Sequence, residues 1–481
     1  MANPHHWPGG YFLDFKAGHE YSCPALLCGF GFQLDFFLFM RATNFNKTSP
    51  SGVPLSGLAR MLLDARFLRG AASVYLLLTL LVWGFLLALW MGSVGGRDRD
   101  GDVIGSDFRA FYTAGWMVRH GQSTRLYDFK LQQVAQKQLD IQPGAHRANG
   151  VSAYLNPPHF ATAMTGLAAL PYPVAFAVWT VATLAAFCAS ILLLRPFLPS
   201  LQGARGCGLM ALALGFMPVY FTLSGGQNTA FSLLLFTLIF RALERRRDGL
   251  AGVLIAVGLL KPQLFLGLLP LLALGKRPRA LAGFALGSVL VWMWTTQACG
   301  PRALADWLAT VRSPFYQVNI VRLSYNMFSW QAFWRLLLGA NPVSSLIGWS
   351  FALAVFAALC LLWRRSSRQD SRDDLLNLYA LTVGGTILMV PHLFGYDLAL
   401  LLLPGLVFVD RVLRAPLQQF QALRLCLLAL FAGVTLDQQA QATHFQFATP
   451  LLMIVLFLAW QMMNDSGANK NRAAGRLVSP A

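Results

Sequence analysis

The sequence predicts an all-α, polytopic membrane protein. Of its 481 residues, 56% are apolar and only 12% are charged, about half the charged fraction of a typical soluble domain. From Ala71 onward, apolar runs of about 15–22 residues recur, and such runs match the hydrocarbon thickness of a bilayer. Basic residues cluster between the runs. This composition excludes a soluble enzyme, a secreted disulfide scaffold and a disordered chain.

The apolar runs predict about twelve transmembrane helices, several of them short. They lie at 71–92, 172–194, 206–223, 229–243, 249–260, 262–275, 280–298, 342–363, 375–391, 396–410, 420–436 and 445–463. The apolar segment 157–170 is bounded by prolines at both ends. We expect it to dip into the membrane and return on the same side.

The charge distribution predicts the orientation of these helices. The net charge is +18, from 38 Lys and Arg against 20 Asp and Glu. With the N-terminus inside, inner loops hold 22 basic residues and the short outer loops five, as the positive-inside bias requires. Interleaved stacking aromatics and nucleic-acid-binding motifs are absent, so we predict no nucleic-acid partner.

The unusual polar motifs all fall on the outer side of this topology, although they were not used to derive it. They are Ser106-Asp107-Phe108, Asn156-Pro157-Pro158-His159, Gly225-Gly226-Gln227-Asn228, Lys261-Pro262-Gln263, Tyr325-Asn326, and Pro391-His392 through Tyr396-Asp397. Their coincidence on one face predicts a functional site at the outer membrane surface.

The first outer loop, 93–156, is the only sizeable extramembrane piece. It contains two predicted amphipathic helices, over 106–121 and from about Lys130 to Leu139, which we expect to lie in the membrane interface. The transmembrane domain spans 61–465, and 466–481 form a cytoplasmic tail. Residues 1–60 fit neither a signal peptide nor a span. We therefore expect deletion of 1–60 to leave insertion and activity largely intact.

Several single residues allow two interpretations from the sequence. Asp107 stands at a helix N-terminus, where it can act as a helix cap, as a general base, or as both. Asp128 is more consistent with a structural role. Lys261, between two apolar runs, either reaches the membrane surface or binds an anionic partner. His392 and Asp397 flank a short break and can satisfy each other.

Six motifs, taken in order, resemble glycosyltransferase family 87 over roughly residues 61–465: SDFRAFYTAG, GQSTRLYD, YLNPPHF, SGGQN, LLKPQ and PHLFGYDL. The family comprises polyprenyl-phosphate-sugar-dependent mannosyltransferases. The resemblance implies a GT-C-like architecture, with a large first periplasmic loop that carries interfacial helices and an essential aspartate. That aspartate corresponds to Asp107. Where family members often have Tyr-Pro-Pro, this chain has Asn156-Pro157-Pro158.

The resemblance implies a multi-pass enzyme of the bacterial inner membrane whose active site faces the periplasm or exterior. It would move a sugar, mannose by family inference, from a polyprenyl-phosphate donor to a hydroxyl of a glycolipid or glycan acceptor. Asp107 would be the general base of a single inverting displacement. Candidate substrate-binding residues are Asn156, His159, Gln227, Asn228, Lys261, Gln263, Arg322, Asn326, His392, Tyr396 and Asp397.

We predict no cofactor and no metal, because Walker and Rossmann motifs and an obvious paired-carboxylate site are absent. Two other functions share the same composition. A lipid-linked-sugar transporter or flippase predicts internal repeats and polar groups at the membrane midplane, neither of which is evident. An O-antigen ligase-like protein would use a diphosphate-linked donor.

Overall fold

The computed structural model describes residues 57–92, 104–141, 151–366, 371–416, 419–437 and 440–477. Across these ranges the chain is helical and contains no strand; its one β-type pairing is an isolated antiparallel bridge between Met327 and Phe394. The all-α prediction is therefore confirmed. Most of the predicted extension 1–60 and the start of the first outer loop lie outside the described residues.

The helices follow one another in chain order with short connections. They are α1 (Gly57–Leu62), α2 (Ala65–Met91), α3 (Phe108–Arg119), α4 (Phe129–Gln138), α5 (Pro158–Ala163), α6 (Tyr172–Leu194), α7 (Gly203–Leu214), α8 (Met217–Gly225), α9 (Thr229–Glu244), α10 (Asp248–Val257), α11 (Pro262–Phe265), α12 (Leu268–Leu274), α13 (Pro278–Cys299), α14 (Ala303–Arg312), α15 (Pro314–Arg322), α16 (Trp330–Leu338), α17 (Pro342–Arg365), α18 (Arg372–Met389), α19 (Leu402–Arg414), α20 (Gln421–Leu436), α21 (Ala440–Thr443) and α22 (Ala448–Leu477).

Four segments of the described chain are long and apolar enough to cross a membrane: Arg66–Phe85, Tyr172–Phe197, Pro278–Cys299 and Pro342–Arg365. A fifth span is possible if α7 and α8, which are bent by 50° at their junction, act together. These helices indicate a membrane protein. Helical structure also occupies the other predicted spans, but in shorter pieces, so the count of twelve remains a prediction.

Prolines and glycines shorten these helices where the polar motifs occur. After α10, a 3₁₀ turn over Gly258–Leu260 leads to Lys261, whose backbone is not helical, and Pro262 then begins α11. Proline suits a first helical turn because its missing N–H would have no partner there. The lysine is thereby placed at a break between two apolar helices.

The amphipathic helices of the outer loop form where the sequence predicts them. Helix α3 ends at His120 and Gly121, as expected, and buries Phe108 and Phe111. It packs closely on the segment after α5, since a Cβ on Gly115 would lie 2.6 Å from the carbonyl oxygen of Met164. Whether α3 and α4 lie in the membrane interface stays a prediction.

Candidate active site at the outer loop and the helix breaks

Asp107 lies against the glycine turn that joins α8 to α9. Its backbone N–H donates to the carbonyl oxygen of Gly225 over 2.9 Å. A Cβ added to Gly225 would lie 3.2 Å from Asp107 Oδ2. The half-buried carboxylate does not accept a capping hydrogen bond from α3, although Asp107 occupies the N-cap position. The helix-cap interpretation therefore does not describe this side chain.

The backbone just before Asp107 is fixed by polar side chains of the outer loop. The carbonyl oxygen of Ser106 accepts from Ser152 Oγ at 3.0 Å and from Arg109 Nη2 at 3.4 Å. Gln136, which is 1% exposed, exchanges two hydrogen bonds with the backbone of Ser152, at 2.9 and 3.1 Å. Helix α4 thus holds Ser152, which in turn holds the residue preceding Asp107.

The glycine turn itself can form only without side chains. Gly226 has φ +70°, in the left-handed region, and a Cβ there would lie 2.5 Å from Cβ of Phe108. Trp179 Nε1 donates to the carbonyl oxygen of Gly226 over 2.9 Å. The turn is consequently locked between α3 and α6, with Asp107 beside it.

Two candidate substrate-binding residues carry buried polar atoms without a hydrogen-bond partner in the described part of the chain. Asn228 is fully buried, and both its amide oxygen and its amide nitrogen are unpartnered. The same holds for Nε2 of the half-buried His159. An amide offers both a donor and an acceptor, which suits a sugar hydroxyl. Gln227 is also buried, at 7% exposure.

At the other end of the turn, Lys261 and Asp397 form a buried ion pair. Lys261 Nζ lies 2.5 Å from Asp397 Oδ1, and each side chain is 8% exposed. Thr229 Oγ1 donates to the same oxygen over 2.5 Å and accepts from Lys261 Nζ at 3.3 Å. The interpretation of Lys261 as a lysine that reaches the surface is wrong, because its ammonium is enclosed and paired.

The break between α18 and α19 carries two further candidates, His392 and Tyr396. His392 Nε2 lies 2.9 Å from the hydroxyl of Tyr316, whereas Asp397 pairs with Lys261. The interpretation in which His392 and Asp397 satisfy each other therefore does not hold. Tyr396 stacks on Phe394 with ring centroids 5.5 Å apart, and Lys261 Nζ lies 5.2 Å from the Tyr396 ring centroid.

His392 is held in its neutral form. Burial lowers its pKa to about 4; the charge of Asp397 raises it, and the charges of Lys261 and Arg335 lower it. At neutral pH the imidazole can therefore donate or accept a hydrogen bond but supplies no positive charge.

The side-chain amides of Asn156 and Asn326 lie against the backbone of residues at the two helix breaks. Asn156 Nδ2 donates to the carbonyl oxygen of Leu260, the neighbour of Lys261, over 3.4 Å. A Cβ on Gly395 would lie 3.1 Å from Asn326 Oδ1. Both amides thus approach the two breaks in the apolar helices.

Two candidates are not drawn into the cluster by a described contact. Gln263 is half-buried and makes no hydrogen bond within the described ranges. Arg322 is exposed at the end of α15. Asp128 has the structural role that was expected: it accepts from the N–H groups of Lys130 and Leu131 at the start of α4 and pairs with Arg125 at 2.5 Å.

The comparisons with known proteins bear on this arrangement. Residues 154–391 match the model of glycosyltransferase family 87. The match confirms the resemblance and indicates a glycosyltransferase. No curated protein and no solved structure matches the chain.

The family 87 segment contains eight of the candidate site residues, from Asn156 to Asn326. Asp107 precedes the segment, whereas His392, Tyr396 and Asp397 follow it. The structure brings these outside residues to the segment: Asp107 to Gly225, and Asp397 to Lys261.

Sequence reasoning missed three residues that shape the candidate site. Thr229 completes the ion pair, and Tyr316 binds His392. Gln446 Nε2 donates to the carbonyl oxygens of Ser324, Tyr325 and Met327, the segment that carries Asn326. Thr229 directly follows the SGGQN motif, which was a usable signal; the other two lie far from the motifs in sequence.

For metals, no group of three or more His, Cys, Asp or Glu side chains that could hold an ion occurs within the described ranges. The polar groups brought together are instead carboxylates, amides, a lysine and neutral imidazoles. Such groups can bind hydroxyls and move a proton.

Proposed function

We propose that the protein transfers a sugar, with mannose as the first candidate, from a polyprenyl-phosphate donor to an acceptor hydroxyl. The observation that carries the proposal is the carboxylate of Asp107, held beside the Gly225 turn without capping its own helix. The match to glycosyltransferase family 87 supports the reaction class. The acceptor is a glycolipid or glycan.

The proposed chemistry is a single displacement. Asp107 takes the proton of the acceptor hydroxyl, and the acceptor oxygen attacks the anomeric carbon of the donor. The bond from that carbon to the phosphate oxygen breaks, and its electron pair leaves with the polyprenyl phosphate. Because one base acts from the side opposite the leaving group, the configuration at the anomeric carbon inverts. Asn228 and His159, with their unpartnered polar atoms, bind sugar hydroxyls.

The location follows from the apolar helices and the charge bias. We place the protein in the bacterial inner membrane with the Asp107 side facing the periplasm or exterior. A lipid-linked donor suits this position because its phosphate is anchored at the membrane surface. The GT-C-like architecture and the lipid bilayer as a partner belong to the same proposal.

The test is turnover of an Asp107→Asn variant. The amide keeps the size of the side chain but cannot take a proton, so the release of polyprenyl phosphate should fall about 10²–10⁴-fold. Purified protein would be incubated with a set of polyprenyl-phosphate sugars, and donor binding should persist. The matched control is Asp128→Asn, which alters a carboxylate at the neighbouring helix start.

Near-normal turnover of Asp107→Asn would refute the role of Asp107 as the base. Release of polyprenyl diphosphate from a diphosphate-linked donor would indicate a ligase instead. Movement of the intact lipid-linked sugar across a vesicle membrane, without release of the lipid, would indicate a flippase.

A further inference from the structure

The proposed reaction leaves a negative charge on a lipid-linked phosphate, and the inference below rests on that proposed function. Stabilising this charge requires a cation or well-placed N–H donors. Lys261 is paired with Asp397 at 2.5 Å, and burial lowers the pKa of His392 to about 4. Neither therefore brings an uncompensated positive charge to the site at neutral pH.

Arg335, in the second turn of α16, has donors to offer. The residue is half-buried, and its Nη1 atom is buried without a hydrogen-bond partner among the described residues. A guanidinium in such a place loses water without gaining a bond, which costs free energy. The indole Nε1 atoms of Trp330 and Trp334, on the same helix, are also buried and find no partner in the described part of the chain. Within the described ranges, helix α16 thus carries three side chains with an unsatisfied N–H donor.

Two observations place Arg335 at the candidate site. The positive charge of Arg335 lowers the pKa of His392, although less than burial does. The charges of Asp397 and Lys261 also have larger effects on this pKa than Arg335 has. In addition, α16 begins directly beside the break that carries His392: Ser329 caps the helix, and the preceding Phe328 N–H donates to the carbonyl oxygen of Leu393 over 2.6 Å.

We propose that Arg335 binds the phosphate of the prenyl-linked donor and of the prenyl phosphate product. A guanidinium can donate two parallel hydrogen bonds to two phosphate oxygens. Its charge stabilises the electron pair that the phosphate oxygen gains as the bond to the anomeric carbon breaks. The Lys261–Asp397 pair then shapes the site without contacting the phosphate.

The experiment measures binding of farnesyl phosphate to the full-length protein in detergent. Arg335→Gln should weaken this binding about 10- to 100-fold, the scale of a lost charge-assisted hydrogen bond, whereas Arg335→Lys should retain part of it. Arg312→Gln removes an exposed arginine on the same predicted face and should bind as the wild type does. Binding of farnesol, which has the tail but no phosphate, should not change in any variant.

A second measurement needs no variant that could fail to fold. Phenylglyoxal modifies arginine, and farnesyl phosphate should protect Arg335 but not Arg312 in the wild-type protein, as read by mass spectrometry of the two peptides. Inorganic phosphate at the same concentration should protect Arg335 far less. Equal protection by inorganic phosphate would overturn the lipid-linked ligand, and no protection of Arg335 would overturn the site.

Neither measurement depends on sugar transfer. Phosphate binding at Arg335 in a protein that transfers no sugar would leave the Arg335 site standing and refute the proposed transferase. Normal sugar transfer, together with farnesyl phosphate binding that is unchanged in Arg335→Gln, would refute the Arg335 site and leave the proposed transferase standing.

Discussion

Replacement of Lys261 by methionine tests the buried ion pair most directly. Methionine matches much of the lysine stem, but it leaves the carboxylate of Asp397 without its cation. Both side chains are 8% exposed, so water cannot compensate for the loss. Removing one partner of such a pair costs about 3–5 kcal/mol. The remaining hydrogen bond from Thr229 Oγ1, 2.5 Å from Asp397 Oδ1, recovers only part of this.

The assay is the free energy of unfolding in mixed micelles, titrated with dodecyl sulfate and followed by tryptophan fluorescence. The matched control is the double variant Lys261→Met with Asp397→Leu, which removes both charges. Because an apolar pair of similar volume is often neutral or stabilising, the double variant should regain most of the lost stability. The difference between the single and double variants measures the coupling of the two residues.

An unfolding free energy within about 1 kcal/mol of wild type in Lys261→Met would refute the reasoning, since exposed pairs contribute no more than that. The same variants separate stability from ligand binding. Donor binding that is weak in the single variant but restored in the double variant would show that Lys261 acts by satisfying Asp397.

Three further predictions concern topology, capping and the support of Asp107. A reporter fused after Asn228 should be active only on the outer side of the membrane, and one fused after Arg247 only on the inner side; either reversal would contradict the charge-derived orientation. Asp128→Ala should lower the free energy of unfolding by about 1 kcal/mol, the usual value of an N-cap. The hydrogen bond from Arg125 and those from backbone N–H groups lower the pKa of Asp128. The stability that Asp128 contributes is therefore present at neutral pH and fades as the pH falls below about 4. A loss of unfolding free energy in Asp128→Ala that is as large at about pH 3 as at neutral pH would contradict this prediction. Gln136→Leu should leave the Ser152 N–H unsatisfied and lower turnover more than donor binding, as measured by single-turnover kinetics. Unaltered turnover would exclude a role of Gln136 in positioning Asp107.

Local features of the fold could be predicted because they depend on neighbouring residues. The spacing of apolar positions along one helix face placed the two outer-loop helices to within about two residues, and the helix start after Tyr127 identified Asp128 as structural. The confirmed family resemblance likewise rested on short local motifs. The number of spans stays a prediction, because prolines and glycines divide several apolar runs into helices of 4–13 residues.

The contacts that assemble the candidate site could not be predicted from local pattern. Lys261 and Asp397 are 136 residues apart, and hydrophobic periodicity carries no information on such pairs. The sequence therefore left Lys261 between the membrane surface and an unspecified anionic partner, and it offered Asp397 only its neighbour His392. Arg335 was overlooked for a similar reason, since a single arginine in an apolar helix is commonly a residue that reaches water.

The turn from Gly225 to Thr229 has a consequence for how the protein can change. Its first residue touches Asp107, and its last touches Asp397 and Lys261. Five residues at full extension reach at most about 17 Å. The turn therefore acts as a spacer of fixed length between Asp107 and the Lys261–Asp397 ion pair. One inserted residue would shift them by about 3 Å, enough to misalign a proton acceptor and a leaving group. Homologous chains should therefore vary in the length of the first outer loop but keep this spacer at constant length.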